Sequence, residues 1–337
     1  MKEAMFYEKQ KETEVACHLC AHNCRIKEGQ RGICAVRENQ KGTLYSLVYG
    51  KVISMNSDPI EKKPLFHFLP GSTSLSIATA GCNFRCKHCQ NYEISQFPRE
   101  RKFQIPGTDM QPEEIVNAAY ETGCESISYT YTEPTIFFEF AYDCALRAHT
   151  KGIRNVFVSN GYTGADAAKS IAPYLAANNI DLKGSDKLYK ELCGAKLNPV
   201  KETIKLMKEL GVWVEVTTLV IPDYNDSDQD LTEIASFIAS VDPSIPWHVS
   251  QFYPTYKVLD KPRTPIETLK KAMDFGYSAG LQYVYVGNVP GESGEHTYCP
   301  GCRDVLVRRI GYRILENRLE GNRCPTCSRV IAGVWTL

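Results

Sequence analysis

The chain predicts an α/β fold on a parallel sheet, and two features of its pattern carry that expectation. Extended, largely apolar stretches recur at 74–80, 126–131, 154–159, 179–182, 212–221, 247–252 and 282–286. Between them lie amphipathic helical patterns with recognisable stops. Strands alternating with helices give a parallel sheet with right-handed crossovers, and six or seven such units make an incomplete barrel.

Each element has a local reason. Ser74-Leu75-Ser76-Ile77-Ala78-Thr79-Ala80 alternates as a strand does, and Gly81 ends it in a turn. Pro112-Glu113-Glu114 opens a helix with a proline and an acidic first turn, and Gly123 closes it. Thr203, Ile204, Met207 and Leu210 form a second stripe ahead of Gly211. Leu231, Ile234, Phe237, Ile238 and Val241 form a third. Stripes of this spacing face a core.

Composition limits the function. The 337 residues suffice for one large α/β domain with appendages. Lys plus Arg equals Asp plus Glu, 39 each, so no net field draws nucleic acid or an anionic membrane. No stretch reaches transmembrane length, and the polar start lacks the apolar core of a secretory signal, so a cytoplasmic protein is expected. Fourteen cysteines divide the chain. Residues 1–70 hold one cluster, 71–290 the barrel with a second, and 291–337 a third. Cys124, Cys144 and Cys193 are scattered and are expected to be small buried residues.

The most informative run is GCNFRCKHCQN, with Cys82, Cys86 and Cys89 spaced C-x3-C-x2-C at a strand's C-terminal end. Three thiolates hold a four-iron cluster and leave one iron open. That iron can take the amino and carboxylate groups of S-adenosylmethionine and deliver one electron to it. Zinc, or three inert thiols, is the alternative reading of the spacing alone. His88, aromatic and next to the third cysteine, suits an adenine ring.

Further polar groups follow later strands, where parallel barrels keep their chemistry. Glu133 in Tyr131-Thr132-Glu133-Pro134 can receive an ammonium group, or simply bond nearby backbone. Ser159-Asn160-Gly161 offers a hydroxyl and an amide, in what is also an ordinary tight turn. Asp181 and Lys183 alternate onto one strand face, as cofactor contacts or as a structural ion pair. Trp247 and His248 read as structural. Val286-Gly287-Asn288-Val289 can close the barrel end.

Together these runs resemble the radical S-adenosylmethionine superfamily over about residues 70–290. The resemblance is nearest to the branch of pyruvate formate-lyase activating enzymes, oxidoreductases of class EC 1.97.1.-. Within it, CHLCAHNCRIKEGQRGICAVR, KKPLFHFLPGS, YTEPT, NIDLKG and the CPGC and CPTC pairs resemble the radical enzyme of the AmmeMemoRadiSam system, named for its association with Memo-like and Ammecr-like proteins. The resemblance implies a partial (β/α)6 barrel and a [4Fe-4S] cluster on Cys82, Cys86 and Cys89. It implies S-adenosylmethionine contacts from His88, Gln90, Thr132, Glu133, Ser159, Asn160, Asp181 and Lys183, the last also catalytic. Tyr256 stands where that branch has a histidine near the cofactor. The superfamily usually has two glycines before the glutamate, where this chain has Tyr131 and Thr132, which restricts the backbone. A flavodoxin or ferredoxin is the implied electron donor. The implied substrate is a glycine on a glycyl-radical enzyme; alternatives are a small molecule or a Memo-like or Ammecr-like partner. A metal-binding adaptor or electron carrier without turnover is a reading of a different class.

Two cysteine sets flank the barrel. Cys299, Cys302, Cys324 and Cys327 form paired C-x2-C knuckles, with zinc as default occupant and iron as the other. Cys17, Cys20, Cys24 and Cys34 are less regular, with His18 and His22 nearby. A closed zinc site leads there, and an iron–sulfur cluster is the alternative.

Overall fold

Seven parallel strands cross one sheet in chain order, each paired with the next. The computed structural model describes residues 1–289 and 293–336. The strands are β1 (Thr73–Thr79), β2 (Ser126–Tyr129), β3 (Arg154–Ser159), β4 (Ala177–Asp181), β5 (Trp213–Val220), β6 (Trp247–Gln251) and β7 (Val284–Gly287). All seven expected stretches are strands. β1 and β7 lie apart in the strand order, so the barrel is open.

Six helices make the crossovers: α1 (Pro112–Glu121), α2 (Phe138–Thr150), α3 (Ala165–Ile171), α4 (Leu197–Glu209), α5 (Asp228–Val241) and α6 (Ile266–Ser278). Their buried faces follow the sequence stripes. α1 buries Ile115, Val116 and Ala119, α4 buries Thr203, Ile204 and Met207, and α5 buries Leu231, Ile234 and Ile238. Leu210, expected in the α4 stripe, instead caps that helix and is exposed. Phe237 and Val241 of α5 are only partly buried.

The sheet extends beyond β1. Lys51–Pro59 pairs antiparallel with β1, and Thr108–Asp109 pairs with that strand in turn. The sequence carries no strand signal at 51–59, because most of its side chains are exposed or half-buried and show no apolar alternation.

One buried carboxylate fastens the KKPLFHFLPGS run across the sheet. Glu215 on β5 accepts the backbone N–H of Phe66 (3.0 Å) and His67 (2.8 Å), the Trp213 indole N–H (2.9 Å), and a bond from His248 Nε2 (2.6 Å). The C-terminal region docks on the same run. Arg309, on Val305–Ile310 of a small antiparallel sheet, donates to Phe66 O (2.8 Å), and Leu69 N–H donates to Val334 O (2.7 Å). The expected boundary between 290 and 291 lies outside the described residues. Among those residues no helix is long and apolar enough to cross a membrane.

Candidate active site

The C-terminal ends of the strands surround a cavity of about 530 Å³. It is lined by Cys82, Cys86, His88, Cys89 and Gln90 after β1, Thr132 and Glu133 after β2, Ser159 and Asn160 at the end of β3, and Asp181 and Lys183 at β4. Residues up to a hundred positions apart thus meet at one mouth. Tyr256 does not join them. Its ring stacks on Tyr92 at 4.5 Å, and its hydroxyl donates to Glu100 (2.6 Å), outside the cavity lining.

The triplet loop is held on both sides. Arg85 N–H donates to Cys193 O (2.8 Å) and Lys87 N–H to Leu192 O (2.9 Å), while Arg99 donates to Cys82 O (2.6 Å) and Phe84 O (2.9 Å). Gly81 enters it at φ +103°, where a Cβ would lie 2.6 Å from Val36. Phe84 N–H points at Cys82 Sγ (3.3 Å), and Ser95 Oγ lies 3.2 Å from Cys89 Sγ. Burial pushes the Cys82 and Cys89 thiols up, and a hydrogen bond with Cys193 together with burial does so for Cys86. Such thiols stay protonated until a metal centre takes them, since coordination deprotonates a thiol outright. Nδ1 of the buried His88 has no partner. The donor set and this orphaned nitrogen fit a thiolate-bound cluster with a ligand beside it.

Cys193, expected as an inert buried residue, lies with Cys86 and His88, their ligand atoms all within 4.8 Å of one another. A lone cysteine gave no sequence signal for this.

Glu133 organises the lip. Its Oε1 accepts from Thr135 N–H (3.0 Å), Thr135 Oγ1 (2.6 Å) and Ser159 Oγ (2.9 Å), and its Oε2 from Asn160 N–H (2.7 Å). Burial raises its pKa. Asn160 Nδ2 reaches Asn83 Oδ1 (2.7 Å), joining the β3 turn to the triplet loop. Lys183 Nζ donates to Asp181 Oδ2 at 2.6 Å. Burial opposes the Lys183 charge, but the negative charge beside it, Asp181 first, outweighs it and raises its pKa.

Another part of the wall comprises Glu61, His248, Tyr285, Glu295 and Tyr312. Glu61 is buried; Gly71 N–H donates to its Oε1 (2.8 Å), and its Oε2 has no partner among the described residues. Sequence reasoning missed this wall because its residues are joined only by the folded sheet.

The C-terminal cysteines form a single-ion site by geometry. Their four sulfurs lie within 4.8 Å of one another, with Cys299–Cys327 at 3.5 Å and Cys302–Cys324 at 3.6 Å. The N-terminal four line a separate small cavity. His22 Nε2 instead bonds Asn83 O (2.9 Å), and His18 Nδ1 bonds Asn23 Oδ1 (3.0 Å).

An open parallel β/α sheet with a cysteine triplet after its first strand and polar groups after the next three defines the radical S-adenosylmethionine class of enzyme. Residues 76–238 match the radical SAM superfamily, and the chain belongs to it. It is 50% identical over 334 residues to the uncharacterised protein MJ0808 of Methanocaldococcus jannaschii, covering 98% of this chain and 99% of that protein. It is 27% identical over 196 residues to a protein of the same organism named as a candidate glycyl-radical enzyme activating enzyme, covering 55% of this chain and 75% of that one. Its fold is similar to that of Streptococcus suis SuiB bound to S-adenosylmethionine, with a TM-score of 0.51 and 15% identity over 68% of this chain and 53% of that one. Membership carries a [4Fe-4S] cluster and S-adenosylmethionine with it.

Proposed function

We propose that the protein cleaves S-adenosylmethionine reductively and uses the 5′-deoxyadenosyl radical to abstract a hydrogen atom from a substrate. One observation carries this reading: the three triplet cysteines and polar groups from the next three strands face a single cavity. The cluster held by Cys82, Cys86 and Cys89 would supply the electron that breaks the sulfonium bond, with its fourth iron open to the ligand.

The residues around it have separable tasks. Glu133 Oε1 already accepts three hydrogen bonds, whereas Oε2 accepts one and retains a lone pair for the ligand's ammonium group. Burial, reinforced by the Lys183 charge, lowers the His88 pKa to about 3, so the ring stays neutral beside the adenine. The Asp181–Lys183 pair presents a fixed ammonium at the lip, and Ser159, Asn160, Thr132 and Gln90 complete the contact surface. The barrel aligns the sulfonium and excludes water.

The substrate reading we favour is a glycine on a partner enzyme, supported by the similarity to the 27% identical protein named as a candidate glycyl-radical enzyme activating enzyme. A small polar molecule is the second reading, supported by the cavity-lining Glu61 oxygen that has no partner among the described residues. Memo-like or Ammecr-like proteins are further candidate partners. We place the protein in the cytoplasm, with a flavodoxin or ferredoxin donor and zinc in the C-terminal thiol site. The first test is anaerobic reconstitution, reduction with dithionite and chromatography for 5′-deoxyadenosine; no product from wild-type protein refutes the proposal. Deuterium transfer from labelled glycine residues of a candidate partner, or from labelled metabolites, then separates the substrate readings.

A further inference from the structure

We propose that Cys17, Cys20, Cys24 and Cys34 hold a second four-iron, four-sulfide cluster rather than a single metal ion. The four come from the strand Val15–Cys17, the turns after it, and the loop before the strand Arg37–Gln40, and they converge on one small cavity. Leu19, Ile26, Ile33 and Ile136 supply apolar walls.

Spacing separates the two occupants. A tetrahedral ion with metal–sulfur bonds of about 2.3 Å sets its sulfurs about 3.8 Å apart. The C-terminal set has that spacing. The N-terminal sulfurs instead ring a void, and among the described residues no three of them gather within 4.8 Å. A cage of four irons spreads its thiolates wider than one ion does. The donor set lining the cavity is also all sulfur, since neither His18 nor His22 is among its lining residues.

Charge and hydrogen bonding agree. Arg37 is buried, lines the cavity and donates from Nη1 to Cys17 Sγ (3.4 Å). It also pairs with Glu139 and donates to Met5 O (3.1 Å), yet its Nε has no partner among the described residues. A fixed cation with a spare N–H suits an anionic cluster. Arg99 Nη2 donates to both Ile33 O and Cys82 O, so this site adjoins the triplet.

Acid-labile sulfide measures the outcome, because the single-ion C-terminal site contributes none. The anaerobically reconstituted full chain is expected to carry about eight sulfides, and its Cys82→Ala/Cys86→Ala/Cys89→Ala variant about four. The reduced variant should retain an EPR signal that S-adenosylmethionine does not alter. In the Cys20→Ala/Cys24→Ala variant about four sulfides remain, and that signal responds to the nucleotide. Zinc at the N-terminal set, with no sulfide in the triplet variant, overturns the proposal and leaves the triplet reading intact. Equal sulfide, about four, in wild type and triplet variant supports the proposal and removes the triplet reading. If neither variant folds, wild type decides: about four sulfides whose entire EPR signal responds to S-adenosylmethionine overturns it.

Discussion

Replacing Glu215 with glutamine tests whether one buried carboxylate fastens the run carrying Phe66 and His67 across the sheet. The side chain is fully buried, with Oε1 serving His67 N–H and Trp213 Nε1–H, and Oε2 serving Phe66 N–H and His248. Burial alone would raise its pKa; the His248 bond and charge and the His67 contact outweigh this and lower it, so it is anionic at neutral pH. In Glu215→Gln one amide oxygen can replace Oε1. The NH2 then opposes Phe66 N–H, and an unpaired buried donor costs about 1–3 kcal/mol. Downgrading the remaining charge-assisted bonds to neutral ones costs about 1 kcal/mol each. The sum is about 4 kcal/mol. With an unfolding entropy of about 2.1 cal/mol/K per residue, 337 residues give roughly 0.7 kcal/mol/K, so the apparent Tm should fall by about 6 °C. The assay is anaerobic thermal denaturation followed by circular dichroism at neutral pH. A Tm within about 1 °C of wild type would refute the reasoning, since the four donors would then be satisfied by something other than the charge.

Four further outcomes are expected. Cys86→Ala should abolish 5′-deoxyadenosine, whereas Cys193→Ala should keep cluster iron and product within about twofold, costing about 1 kcal/mol of stability; loss of iron from Cys193→Ala would make it a ligand. Gly161 sits at φ +70° with a Cβ position 2.7 Å from Ile180 Cγ2, so Gly161→Ala should cost about 3 kcal/mol, read as a Tm fall of about 4 °C. Burial holds the His67 pKa down to about 4, against about 6.5 unfolded, so the unfolded chain takes the proton first. His67 stabilisation is therefore intact above pH 6.5 and lost as pH falls towards 4, about 2 kcal/mol of it between pH 7 and 5. In His67→Gln that share of the pH dependence of Tm should vanish. Cys302→Ala/Cys327→Ala removes two exposed ligands, so elemental analysis should show one metal ion fewer per chain with sulfide unchanged.

The strands were legible because buried parallel strands read as nearly continuous apolar runs, as Val284–Val286 does here. The lip residues were legible because each sits directly after such a run. What escaped depends on contacts between distant segments. Glu61, His248, Tyr285 and Glu295 share a cavity only after the sheet forms, and Cys193 meets Cys86 through loop contacts that no spacing rule encodes. Tyr256 fails in the opposite direction. Its chain position resembles a cofactor contact, but a loop with φ +52° at that residue turns its ring onto Tyr92.

Tyr131 shows how a missed element alters a functional loop. The sequence suggested that losing the usual glycines before Glu133 would restrict the backbone there, yet Tyr131 takes φ +60°, in the region a glycine would favour. For an L-residue that costs about 1–2 kcal/mol. Several contacts hold it. The Tyr131 hydroxyl donates to Asp58, the Lys63 ammonium lies 4.5 Å above its ring, and Asn91 Nδ2 donates to its carbonyl (2.8 Å). Asp58 in turn accepts from Lys63 at 2.6 Å. A hydrogen bond to a charged group contributes about 1.5–3 kcal/mol, enough to offset the strain. Asp58 belongs to the antiparallel strand beside β1 and Lys63 to the run just after it, the stretch whose polar sequence gave no strand signal. That antiparallel strand therefore does more than extend the sheet: it lets a tyrosine adopt a glycine's backbone conformation at the cavity lip, and brings an aromatic ring and a cation with it.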